Sequence, residues 1–294
     1  MSRRSAIAVV ALATLAVGAA AIFARFALAS GGALAVACAR LTLAAIVLIV
    51  LAAARGRLRV IDGRAERSLL FAGALLAVHF ATWIASLNYA SVAISTLLVC
   101  SSPIFTEIYA VARRGRVDPA AATSVLGALA GVAIVVGAPD RTNTPLGIVL
   151  ALVGAITFGA YLIVVRGVDR RYDTLAVTAR TYATAAVLLA IAAAATHDHL
   201  PPFGDARAWF GIAAMAFVSQ LFGHTALNAG VRVLTATFVS TFTLIEPVIA
   251  AILAAWLFGE HVTILTALGA LVILASIFIA VRADPDDAAA EPAP

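Results

Sequence analysis

The chain has 294 residues, of which 63% are hydrophobic and 12% charged, and its formal net charge is +5. It is too apolar for a soluble domain, and apolar runs of about twenty residues recur along it, so its solvent is lipid. All 20 basic residues are arginine, sitting mostly in short breaks between apolar runs, which argues against nucleic acid as a partner and marks topogenic charge.

Ten spans are expected, over residues 5–28, 33–54, 68–88, 91–112, 120–138, 146–165, 174–195, 209–230, 234–258 and 263–281. The first apolar run outlasts the core of a signal peptide and reads as a retained span. Cys38 and Cys100 lie inside apolar runs and read as small buried hydrophobes. The His197-Asp198-His199 cluster reads as a solvated loop rather than a metal site, and neither metal nor cofactor is expected. The tail, residues 284–294, is rich in Pro, Ala and acid and reads as disordered.

Arginine placement orients the chain. The breaks at 55–67, 113–119 and 166–173, with Arg3, Arg4, Arg232 and Arg282, put fifteen arginines on one face. The other face has Arg25, Arg141 and Arg207. By the positive-inside rule the first face is cytoplasmic, and an even number of spans puts both termini there.

The two halves repeat. Ala39-Arg40 matches Ala179-Arg180 at an offset of 140, Pro103 matches Pro247 at 144, and Gly127-Ala-Leu matches Gly269-Ala-Leu at 142. Gly18 with Gly159, and Arg25 with Arg166, are both 141 apart. Five spans per copy is an odd number, so the second copy enters from the opposite side. The charges agree, because break 55–67 has five arginines while its partner 196–208 has only Arg207. The fold class expected is therefore an all-α integral membrane protein of ten transmembrane helices. It is an inverted repeat of two five-helix halves, 5–138 and 146–281, a plan whose binding site lies near the midplane between the halves.

Intramembrane polar residues are the candidates for that site, because polar groups in lipid usually face a cavity. His79 is near mid-depth of the third span, with Trp83 one turn onward: imidazole as donor or acceptor, indole as an apolar wall with one N–H. Gln220, His224 and Asn228, four apart, draw a polar stripe on the eighth span. Tyr161 is a further candidate lining residue in the sixth. Pro103 and Pro247 are paired in the fourth and ninth spans and read as hinges or as static kinks. Glu246 sits beside Pro247 but Ser102 beside Pro103, so the acid is the asymmetric addition. Arg40 and Arg180 are read as anchors that snorkel toward opposite faces, with anion binding as the alternative.

The stretch Leu244-Ile-Glu-Pro-Val248, running on to Trp256-Leu-Phe-Gly-Glu260, closely resembles the second repeat of EamA-type carriers of the drug/metabolite transporter superfamily. The resemblance covers residues 5–281 and is carried also by Arg40, Arg180 and Pro103. It implies ten helices, alternating access, and export of small metabolites or amino acids across a bacterial inner membrane. The histidine and tryptophan of the third span resemble the aromatic amino-acid exporter branch. The chain departs at Val17-Gly18 and Phe158-Gly159, where many members carry Trp-Gly.

The expected function is a secondary transporter exporting amino acids or similar amphipathic metabolites, with a multidrug, nucleoside or sugar-like exporter as the alternative. An ATP-driven pump would need a G-x-x-x-x-G-K-[ST] loop, and the sequence has none. An intramembrane enzyme would need paired aspartates or H-E-x-x-H inside the spans, and a channel a repeated filter loop; neither pattern occurs. Protonation of Glu246, His79 or His224 would couple proton entry to export, and a uniporter fits the same residues. Two fused halves already supply a repeat pair, so a monomer is expected.

Overall fold

A computed structural model describes residues 1–57, 62–115, 119–136, 143–260 and 263–283. The expected tail at 284–294 lies outside the described residues, as do Arg59, Arg116 and Arg141. The helices are α1 (Arg3–Gly18), α2 (Ala20–Leu28), α3 (Ala33–Ala54), α4 (Gly63–Ser86), α5 (Val92–Val99), α6 (Ser102–Arg114) and α7 (Pro119–Val136). They continue as α8 (Pro145–Gly167), α9 (Thr174–Ala195), α10 (Ala206–Ala214), α11 (Thr225–Val231), α12 (Ala236–Phe242), α13 (Glu246–Phe258) and α14 (Ile264–Ala283). Among the described residues, eight helical segments are long and apolar enough to cross a membrane. The fifth and tenth expected spans fall on α7 and α14, whose described apolar stretches, Ala122–Gly131 and Ile264–Ser276, are shorter.

Local chemistry sets the helix ends. The side chains of Asp62, Ser91, Thr144, Asp173, Asp205 and Thr235 each accept an amide of the first turn of the helix that follows, satisfying donors that have no helical partner. Gly115 and Gly259, 144 residues apart, end α6 and α13 with φ of 67° each, a left-handed conformation that favours glycine.

Four expected spans are interrupted rather than continuous. The first divides at Ala19, and a π-helical stretch, Met215–His224, joins α10 to α11. The fourth breaks at Cys100-Ser101 and the ninth passes through a 3₁₀ turn, Thr243–Ile245. Pro103 and Pro247 each lie in the first turn of the helix after the break, where a missing amide donor costs little. Hydroxyls beside the breaks bond back to the preceding turn: Ser101 donates to Leu98 O at 2.6 Å and Thr243 to Ser240 O at 2.7 Å. Cys100 and Glu246 come within 3.6 Å of each other, so the two breaks meet inside the bundle.

The main helix contacts cross between the halves. α3 packs on α9, α4 on α8, α7 on α14, α1 on the π stretch, α5 on α13 and α6 on α12. Exchanging the halves maps this set of pairs onto itself. Finer contacts repeat too. A side chain at Gly18 would meet Ile249, and one at Gly159 would meet Phe105, the residue 144 before Ile249. Arg25 donates to Leu87 O at 2.7 Å, and its mate Arg166 donates to Leu234 O, each tying down the end of the third span of its own half.

Close approach has a cost that can be measured. A Cβ at Gly211 would lie 2.4 Å from the backbone oxygen of Phe23, which no rotamer change relieves. Gly211→Ala should lower stability by about 1–3 kcal/mol, the range for overpacking, read as a fall in thermal unfolding midpoint in detergent.

The loops gather into two clusters at opposite ends of the spans. One joins the break after α3 to the break after α8: Arg171 and Tyr172 both donate to Asp62, Arg57 pairs with Asp173 at 3.3 Å, and Arg232 donates to Tyr172 O at 2.7 Å. The other joins the break after α2 to the break after α9. There Ser30 donates to Asp205 at 2.5 Å, Gly32 N to His199 O at 2.9 Å, and Leu34 N to Asp198 at 2.7 Å. Asp198 thus braces the start of α3, a structural role in the cluster read from sequence as a solvated loop. At the same end, Glu260 accepts the amide of Val92 at 3.1 Å and lies 3.8 Å from Arg25.

The first cluster should be acid-sensitive. The Tyr172 hydroxyl, then the Ala65 amide, then Arg171 hold the Asp62 carboxyl down at about 2. A carboxyl with a lowered folded pKa adds stability above its unfolded value of about 4, and that stability is lost as pH falls toward 2. Hydrogen exchange at Ala65 and Tyr172 should therefore stay slow from pH 8 to pH 5, and Asp62→Asn should speed it at every pH in that window.

Candidate functional site

An aromatic box lies at the centre of the bundle, built by helices of both halves. α4 supplies His79, Phe80 and Trp83, and α8 supplies Phe158 and Tyr161. The His79 ring stacks on Phe158 at 4.8 Å and on Trp83 at 6.2 Å, and Phe158 stacks on Tyr161 at 6.0 Å. The His224 ring, from the π stretch, stands T-shaped to Phe80 at 5.3 Å, Phe158 at 5.7 Å and His79 at 6.4 Å. His79 Nδ1 is 2.9 Å from Gly154 O, and a carbonyl only accepts, so the neutral ring donates there and keeps Nε2 as an acceptor.

A polar shell surrounds these rings. Arg40, on α3, has no solvent exposure; its guanidinium lies 4.1 Å over Phe80 and 5.8 Å from Trp83, and donates to Gln220 Oε1 at 2.7 Å. Tyr161 donates to Asn228 Oδ1 at 2.7 Å. Tyr182, fully buried on α9, reaches Gln220 O at 3.5 Å. Glu246 opens α13 and accepts the Cys100 thiol on one carboxylate oxygen. A π-helix often marks a functional site, and this one carries Gln220 and His224 while Asn228 follows on α11.

Several polar atoms of this shell have no hydrogen-bond partner among the described residues, although they are buried. They are Arg40 Nε, Trp83 Nε1, Gln220 Nε2, Asn228 Nδ2 and Glu246 Oε1. Leaving such a group unpaired costs about 1–3 kcal/mol, and more for a charge, so each of these five atoms is open to a partner, water or ligand, that the protein itself does not supply. Four are N–H donors and one is a carboxylate oxygen.

His79, Trp83, Tyr161, Gln220 and His224 are therefore joined through contacting neighbours, and Glu246 stands at the meeting of the two helix breaks opened by Pro103 and Pro247. One expectation is corrected. Arg40 does not snorkel to an edge; its guanidinium turns inward to Gln220 and the Phe80 face. Its mate Arg180 instead pairs with Glu66 at 3.3 Å. Cys100 is more than a small hydrophobe, since it supplies Glu246 with a donor. Phe80 and Phe158 were missed as wall residues, although Phe80 adjoins His79 and Phe158 precedes a repeat-anchored glycine.

Compared with known proteins, the chain matches the EamA-like transporter family twice, over residues 4–137 and 145–282. A protein of Archaeoglobus fulgidus described as an uncharacterized transporter is 21% identical over 220 residues, 75% of this chain and 78% of that one. A crystal structure covers 96% of this chain and 98% of its own at 19% identity, with a TM-score of 0.75, which shows a common fold.

Proposed function

The chain belongs to the EamA-like transporter family, and we propose that within it the protein is a secondary transporter exporting amino acids, or similar small amphipathic metabolites, by alternating access. The observation that carries this reading is the buried aromatic box with its five partnerless polar atoms. Rings of this area suit an apolar side chain, and the donors and the acid suit the charged end of an amino acid.

The architecture assigned to this function has ten transmembrane helices, with α7 and α14 as the fifth and tenth spans. The halves, 5–138 and 146–281, form an inverted repeat; the exchange-symmetric helix pairs and the Arg25 and Arg166 contacts support it. Residues His79, Trp83, Tyr161, Gln220, His224 and Glu246 line the path, and Pro103 and Pro247 are its hinges. The protein works as a monomer in the bacterial inner membrane. The arginine-bearing cluster at Arg57, Arg171 and Arg232 faces the cytoplasm, as do both termini.

Purified protein in liposomes should take up labelled amino acids with saturable kinetics, in a screen that also contains nucleosides and efflux dyes. Intact proteoliposomes that move nucleosides or dyes but no amino acid would remove the substrate assignment and keep the transporter.

A further inference from the structure

We infer that the substrate is held as a zwitterion, its carboxylate on Arg40 beside Gln220 and its ammonium group on Glu246. This deepens the transport reading above and rests on it.

The guanidinium of Arg40 is fully buried, and among the described residues no carboxylate lies within ion-pairing distance of it. Its protein partners are the Gln220 amide oxygen at 2.7 Å, the Met215 sulfur at 3.9 Å and the face of Phe80. A guanidinium presents five N–H donors in a planar fork that matches a carboxylate, and Nε of this one has no partner. A buried cation left without an anion is costly, and a bound carboxylate offsets that cost. Arg40 also fixes Gln220: the amide must turn Oε1 toward the guanidinium, which leaves Nε2 as a free donor beside it. Two neighbouring side chains thus offer unused N–H groups to the same anion.

An acidic group is buried in the same bundle interior and makes no ion pair with Arg40 among the described residues. Glu246 spends one oxygen on Cys100 and has no partner on the other. The arginine comes from the first half and the acid from the second. A ligand carrying both charges on one carbon would bridge them, with its side chain against His79, Trp83 and Phe158. The paired state of Arg180 with Glu66 separates this role from the general need of the fold for an arginine at that repeat position.

The test uses wild-type protein in liposomes taking up labelled L-phenylalanine, with three unlabelled competitors: L-phenylalanine, L-phenylalaninamide and 3-phenylpropionate. The amide lacks the carboxylate and the propionate lacks the ammonium group. Each should compete about ten- to a hundredfold more weakly than the amino acid, the factor expected for one charge-assisted contact. In Arg40→Gln the amide and the amino acid should compete alike, and in Glu246→Gln the propionate should gain on the amino acid. An amide that competes within about twofold of phenylalanine in the wild type would overturn the inference while leaving amino-acid transport standing. No uptake of any amino acid by intact proteoliposomes would remove both. The wild-type competition needs no variant, so a variant that fails to fold does not stop the decision.

Discussion

Trp83→Ala is expected to slow amino-acid flux by at least about tenfold, because it removes a wall of the box and one of the partnerless donors. Trp83 stacks on His79 at 6.2 Å with the planes only 12° apart, and it lies 5.8 Å from the Arg40 guanidinium. Truncation empties that space, at a packing cost of about 3–5 kcal/mol, so protein yield and thermal midpoint must be measured beside flux. Trp83→Phe separates the two roles. It keeps a ring in the wall and loses only the N–H, for an expected fall in affinity of about three- to tenfold from one neutral hydrogen bond. If both variants transport like wild type, Trp83 is packing alone.

Pro247→Ala is expected to act in the opposite sense on stability and flux. Alanine restores a donor toward Thr243 O and removes the ring that keeps α12 and α13 apart across the 3₁₀ turn. The ninth span should become more continuous, so the thermal midpoint should rise. If the break is where the half-helix moves, flux should fall by about tenfold or more, since each 1.4 kcal/mol added to a barrier is tenfold in rate. Pro103→Ala should reproduce this in the fourth span. A more stable protein with undiminished flux would make both breaks static kinks.

Much of the architecture is legible in the residues because lipid imposes simple rules. Apolar runs of membrane length must be helices, since no water satisfies the backbone inside the bilayer. The near-constant offset of the anchors reads out a repeat, and the structure places mates such as Arg25 and Arg166 in matching contacts. The helix breaks were half legible: proline marks the weak points, but the 3₁₀ turn and the π stretch depend on packing that no local pattern encodes. The direction of Arg40 was not legible at all. Its depth permits snorkelling or burial, and the choice is made by Gln220 and Phe80, which lie 180 and 40 residues away in sequence. Asp198 is a similar case, since a loop acid becomes a helix brace only when the start of α3 is brought beside it.

The most direct test of the central claim is counterflow through the wild-type protein. Proteoliposomes are loaded with unlabelled L-phenylalanine, diluted into a trace of labelled L-phenylalanine, and sampled with time. A single site open to one side at a time predicts a transient internal excess of label above its equilibrium level, abolished when the internal load is omitted. Label that only rises monotonically to equilibrium, with or without the load, would contradict alternating access about the aromatic box.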